Sequence, residues 1–101
     1  MVKKVYISGP MSGLPNLNSE LFFATEDILR SKGYDVFNPA RTTGDHDWLT
    51  FIIFDLENIR SCDAIYFLPN WRKSPGARIE AIVAHRLKLK VLRNDRKNPS
   101  P

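Results

Sequence analysis

The sequence predicts an α/β domain: a parallel sheet of four to five strands flanked by helices in three layers. Three observations predict it. Short runs rich in β-branched and aromatic residues alternate with longer amphipathic runs. Three of the short runs stop at glycine, proline or asparagine, as in ISGP, VFNP and FLPN. The length of 101 residues, with 43% hydrophobic and 26% charged residues, is that of one ordinary globular domain.

The elements follow in order. Residues 3–8 (KKVYIS) form a first strand, and residues 9–16 (GPMSGLPN) a loop with two glycines and two prolines. Asn18 is the expected N-cap of a helix that runs to Lys32 and closes at Gly33. Glu20 near its start and Lys32 near its end suit the helix dipole. Residues 34–37 form a second strand, stopped by Asn38-Pro39, and residues 40–47 a polar loop. Residues 48–60 form a second helix, with Trp48 expected to anchor it. Residues 63–68 form a third strand and residues 69–73 a loop. A third helix begins at Ser74 and runs to about Lys88, and residues 89–92 form a last strand. Residues 1–93 are therefore read as a single domain and residues 94–101 as a flexible tail. Strands alternating with helices imply crossover units and a flavodoxin- or Rossmann-like sheet. Such sheets take ligands at the carboxyl ends of their strands, which points to the loops 9–16, 38–47 and 69–73.

Composition excludes several classes of function. No apolar run approaches the roughly 18 residues of a membrane span. The opening MVKKVYISGP reads as a strand rather than a secretion signal. Cys62 is the only cysteine, so no internal disulfide forms, and a cytoplasmic setting fits. The net charge of +4 is local: Arg86, Lys88, Lys90, Arg93, Arg96 and Lys97 oppose only Asp95, leaving the rest near neutral. With no base-reading motif beside it, this basic end argues against nucleic acid as the main partner. The triplet Asp45-His46-Asp47 is a poor chelate, because adjacent side chains diverge, and reads as polar loop. Cys62 reads as a small apolar filler.

Two carboxylates stand out. In the second helix, counted from Phe51 at 100° per residue, Asp55 falls at about 40°, between Phe51 and Ile59 at about 80°. It therefore lies inside the apolar stripe, where a charge costs several kcal/mol unless partnered. In the third helix, counted from Ile79, Glu80 falls at about 100°, at the edge of the buried face and among Gly76, Ala77 and Ala84. Each has a structural alternative, Asp55 as a salt-bridged or capping acid and Glu80 as an exposed helix acid. Ser74-Pro75 is a well-made helix start. It also leaves the N–H groups of Gly76 and Ala77 at a positive helix end, with Arg72 and Lys73 just before, which suits an anion such as phosphate. Two inward carboxylates beside an anion seat point to glycosidic chemistry on a phosphorylated or polar sugar.

These residues resemble a known family. YISGP after the first strand, Asp55 ahead of Cys62-Asp63, the strand DAIYFLP, and S-x-G-x-x-x-E from Ser74 to Glu80 resemble the nucleoside 2-deoxyribosyltransferase superfamily. They also resemble the related 2'-deoxynucleoside 5'-monophosphate N-glycosidases, and most of all a small branch with a GPM-x-G-L-P-N opening. The resemblance implies that Glu80 is the nucleophile attacking C1' of deoxyribose and that Asp55 assists departure of the base. It implies that Tyr6 orients Glu80 and that Ser74 and Gly76 contact phosphate. Gly9, Pro10 and Met11 would shape the base and sugar pocket, and Asp63 matches a recurrent acid suited to turn or helix-end bonding. Trp71 departs from the pattern and either stacks on a base or covers the core. No metal or organic cofactor is implied. A homodimer or higher homo-oligomer is expected, since a neighbouring subunit completes the site in those enzymes. The expected function is cleavage of the N-glycosidic bond of a deoxynucleoside or its 5'-monophosphate, with water or another base as acceptor. Two alternatives stay open: a nucleotide-binding or sensing module of the same fold without turnover, and a small interaction protein acting through its basic end.

Overall fold

The structure, a computed structural model, describes residues 2–42 and 47–92. Asp45 and His46 of the polar triplet, and the tail at 94–101, lie outside the described residues. The element order is β1 (Lys4–Ser8), α1 (Ser19–Ser31), β2 (Asp35–Phe37), α2 (Trp48–Ile59), β3 (Ala64–Phe67), α3 (Pro75–Arg86) and β4 (Lys90–Leu92). The four strands form one sheet in the order β2-β1-β3-β4, every neighbouring pair parallel. The chain order reverses between β1 and β3, where Ser8 stands opposite Phe67. That is the switch point at which open α/β sheets bind ligands.

The period of two along β1 sorts its side chains between the layers. Val5 and Ile7 face α1 and join Phe22, Leu29, Val36, Ala64 and Leu68 in one core. Tyr6 faces the other way and joins Ile59 of α2, Ile65, Cys62 and Ala84 of α3. Ser8, two residues on, is buried at the carboxyl end of the same face. The layers are thus α1, the sheet, and α2 with α3. No helix among the described residues is long and apolar enough to cross a membrane.

The loops hold more structure than expected. Short 3-10 turns occupy Pro39–Arg41 and Trp71–Lys73, and Pro15–Asn18 forms a turn in which Asn16, Leu17 and Asn18 have left-handed backbones. Asn18 does not cap α1 with its side chain: its backbone is left-handed at φ 63°, and its Nδ2 donates to the Pro10 carbonyl at 3.0 Å, tying the first loop down. Trp48 is no anchor either. It is 51% exposed, while Ile52 and Ile59 are the buried residues of α2, and Leu49, Ile53 and Phe54 also face outward. Asp47 caps α2 by accepting from the Thr50 N–H at 2.7 Å.

A buried ionic cluster fixes the loop after β2. Glu26 of α1 is 1% exposed and accepts from Arg30 Nε at 2.7 Å, Asn38 Nδ2 at 2.9 Å and Arg41 Nε at 2.9 Å. Burial alone would raise its pKa, but the bonds from Arg41, Arg30 and Asn38 outweigh it and hold Glu26 down at about 2.

Candidate active site

The site is built where α3 crosses the carboxyl end of β1. Ser74 caps α3 by accepting from the Ala77 N–H at 3.2 Å, and Pro75 opens the helix. One face of α3, made by Ala77, Glu80 and Ala84, is buried against the sheet and α2. Glu80 therefore sits in the middle of the buried face, not at its edge, and is 6% exposed. The small side chains beside it let the helix come close enough for the carboxylate to meet two strand hydroxyls. Tyr6 donates from its hydroxyl to Glu80 Oε2 at 2.9 Å, and Ser8 donates from Oγ to Glu80 Oε1 at 2.7 Å. Tyr6 is itself wedged in place, its ring stacked on Phe37 at 5.4 Å between centroids.

Asp55 approaches from α2. Its carboxyl interacts with both the Tyr6 hydroxyl and the Glu80 carboxyl, and its Oδ1 is buried without a hydrogen-bond partner among the described residues. Burial pushes Asp55 up to about 6, against the stabilising bonds from Tyr6 and Glu80. Glu80 rises further, to about 8, first through burial and then through the charge and hydrogen bond of Asp55, against the bonds from Ser8 and Tyr6. Burial and the Glu80 charge also push Tyr6 well above its ordinary value, so its hydroxyl stays a donor. Near neutral pH the two acids therefore hold one proton between them. Such a pair provides one carboxylate for attack or charge stabilisation and one acid for proton transfer.

The other sequence candidates fall in three places. Gly9, Pro10 and Met11 follow β1, but Gly9 has a packing reason: a Cβ there would meet Leu68 Cβ at 2.7 Å. Met11 packs against the core on the α1 side. Ser74 and Gly76 lie at the start of α3. A Cβ on Gly76 would meet only ordinary contacts, the nearest being Ile52 Cδ1 at 3.6 Å, so folding does not demand glycine there. Trp71 stacks on Phe67 at 4.3 Å and 25°, with the Arg72 guanidinium 4.9 Å from its ring centre, so the indole covers the end of β3. Asp63 lies at the amino end of β3, exposed, and its Oδ2 accepts from the N–H groups of Lys3 and Lys4 at 3.0 Å. That end of the sheet is opposite the carboxylate pair, so Asp63 ties strand starts together and leaves the site to other residues. Cys62 is buried and burial pushes its thiol up to about 11, which leaves it unreactive. Sequence reasoning missed Ser8. Its signal was the two-residue spacing from Tyr6 within the strand.

Comparisons with known proteins agree with this fold. The fold matches a 2-desoxiribosyltransferase from Leishmania mexicana with a TM-score of 0.71 and 24% identity, over 90% of this chain and 63% of that one. It matches a 2-deoxyribosyltransferase from the psychrotolerant bacterium Bacillus psychrosaccharolyticus with a TM-score of 0.69 and 19% identity, over 89% and 70%. It matches a CMP N-glycosidase from Clostridium botulinum with a TM-score of 0.63 and 22% identity, over 90% and 67%. At these identities the likeness establishes the fold, and this chain spans less than two thirds of the Leishmania protein. No match is found among curated proteins. The four-stranded parallel α/β sheet is thus shared in fold with deoxyribosyltransferases, and by its sequence over residues 3–93 the chain belongs to the family described as Domain of unknown function (DUF4406).

Proposed function

We propose that this protein cleaves the N-glycosidic bond of a 2'-deoxynucleoside 5'-monophosphate or deoxynucleoside, with Glu80 as nucleophile. One observation carries the reading: a buried glutamate at the sheet's switch point, held by two hydroxyls and facing a second acid. The fold neighbours, two deoxyribosyltransferases and a CMP N-glycosidase, support it.

The shared proton moves to Asp55, leaving Glu80 ionised. A Glu80 oxygen attacks C1', the C1'–N bond breaks, and its electron pair leaves with the base, which takes the proton from Asp55. The sugar is then held as an ester on Glu80. Water, or the nitrogen of a second base, attacks C1' and gives its proton to Asp55, and the ester bond returns its electrons to Glu80. Two displacements retain the configuration at C1'. Asp55 Oδ1, buried and without a hydrogen-bond partner among the described residues, supports a role for Asp55 in meeting the substrate. Ser74, Gly76, Arg72 and Lys73 at the start of α3 favour a 5'-phosphate. The outward apolar residues of α2, among them Trp48, Leu49, Ile53 and Phe54, support a homo-oligomer.

The test is incubation with a panel of deoxynucleosides and their monophosphates, with and without a second free base, followed by chromatography. Released or exchanged base supports the reading, and an unchanged panel removes it. A binding module of the same fold without turnover is the second reading, favoured by burial, which raises the Glu80 carboxyl and so disfavours its charged form. Tight nucleotide binding that survives Glu80→Gln, without base release, would establish that alternative.

A further inference from the structure

Glu80 must give up the shared proton before it can attack, and Asp55 must receive it. Two hydroxyls reach the pair, and they are not equivalent. Tyr6 bears on both acids: it donates to Glu80 Oε2 at 2.9 Å and also favours the charged form of Asp55. A donor shared by both carboxyls does little to choose between them. Ser8 bonds Glu80 Oε1 at 2.7 Å, from the carboxyl end of β1 and on the side of Glu80 away from the Tyr6-bonded oxygen. Its side chain is wholly buried, so water does not compete for the bond.

We propose that Ser8 is a positioning residue that makes Glu80 the nucleophile of the pair, because its hydroxyl donates to Glu80 and so favours the arrangement with Glu80 ionised and the proton on Asp55. The inference rests on the glycosidic reading for its purpose, but not for its physical content. The groups facing Glu80 are Ser8 and Tyr6 from β1 and Asp55 from α2, with the neutral Cys62 thiol near Tyr6. All except Ser8 either act on both acids or oppose ionisation of Glu80. A hydrogen bond from a neutral hydroxyl to a buried carboxylate favours the charged form by an amount that corresponds to about one pKa unit.

The test separates this claim from the reaction itself. In Asp55→Asn protein, Glu80 titrates without its acidic partner, and its side-chain carboxyl carbon is followed by NMR against pH. Adding Ser8→Ala should move the Glu80 midpoint up by about one unit, with the fold unchanged by amide spectra. Ser8→Cys, close in size and a weaker donor, should move it in the same direction and serves if the alanine variant does not fold. A midpoint that stays within about 0.2 units in the folded variant overturns the proposal. In the otherwise wild-type protein, Ser8→Ala should lower kcat about tenfold on a cleaved nucleotide, leave KM near its original value and shift the pH profile to the alkaline side. A wild-type protein that releases no base removes the reaction, while the titration still decides the role of Ser8.

Discussion

Glu80→Gln will reverse its effect on stability between pH 5 and pH 9. In the folded protein the Glu80 carboxyl is raised from its ordinary 4.5 to about 8, chiefly by burial. A carboxyl raised in this way adds stability that is whole below its unfolded value and lost as pH climbs through its folded value. The full span corresponds to about 5 kcal/mol by linkage, at roughly 1.4 kcal/mol per unit. Glutamine keeps the shape and never ionises. Its oxygen accepts from one of the two hydroxyls, while its amide nitrogen faces the other, which must turn to accept. That mismatch costs about 1 kcal/mol at any pH. At pH 5 the variant is therefore slightly less stable than wild type, and at pH 9 it is more stable by about 3–4 kcal/mol. Asp55, raised to about 6, lowers wild-type stability over the same direction of pH. Urea unfolding followed by circular dichroism at pH 5, 7 and 9 measures the difference. A stability difference that is the same at all three pH values would refute the claim that burial raises the Glu80 carboxyl.

The remaining predictions concern the surrounding structure. Gly9→Ala places a Cβ 2.7 Å from Leu68 Cβ and should lower the urea midpoint through a loss of about 1–3 kcal/mol, whereas Gly76→Ala should fold normally. Glu26, held at about 2, gives stability that is whole above 4.5 and lost as pH falls toward 2, so Glu26→Gln should flatten the acid limb of the stability profile by about 3 kcal/mol. Ser74→Ala removes the cap on the Ala77 N–H, costs about 1 kcal/mol, and should weaken monophosphates more than unphosphorylated nucleosides in inhibition or turnover. Equal loss for both ligand classes would take the phosphate away from the start of α3.

Much of this architecture was readable because proline, glycine and asparagine punctuate the chain where strands give way to loops. The position of Asp55 was readable from helical phase, since its neighbours in the stripe are large and apolar. The phase of α3 was misjudged for a physical reason. The count started from Ile79, yet Ile79 is only half-buried, and the tight face is made by Ala77, Glu80 and Ala84. Where a helix lies close to a sheet, small residues mark the contact better than large ones. The pairing of Glu26 with Arg30, four residues on, is local to α1. The other partners of Glu26, Asn38 and Arg41, are 12 and 15 residues away, so its burial depends on the loop folding back. Ser8, directly before Gly-Pro, read as the end of a strand, and only the packing of α3 gives its hydroxyl a partner.

The most direct test of the central claim is acid quenching of the protein during reaction with a deoxynucleotide, followed by peptide mapping by mass spectrometry. The account predicts a deoxyribosyl adduct on the peptide holding Glu80, present in wild type and absent from Glu80→Gln, which releases no base. Base release at an undiminished rate by folded Glu80→Gln protein would contradict it.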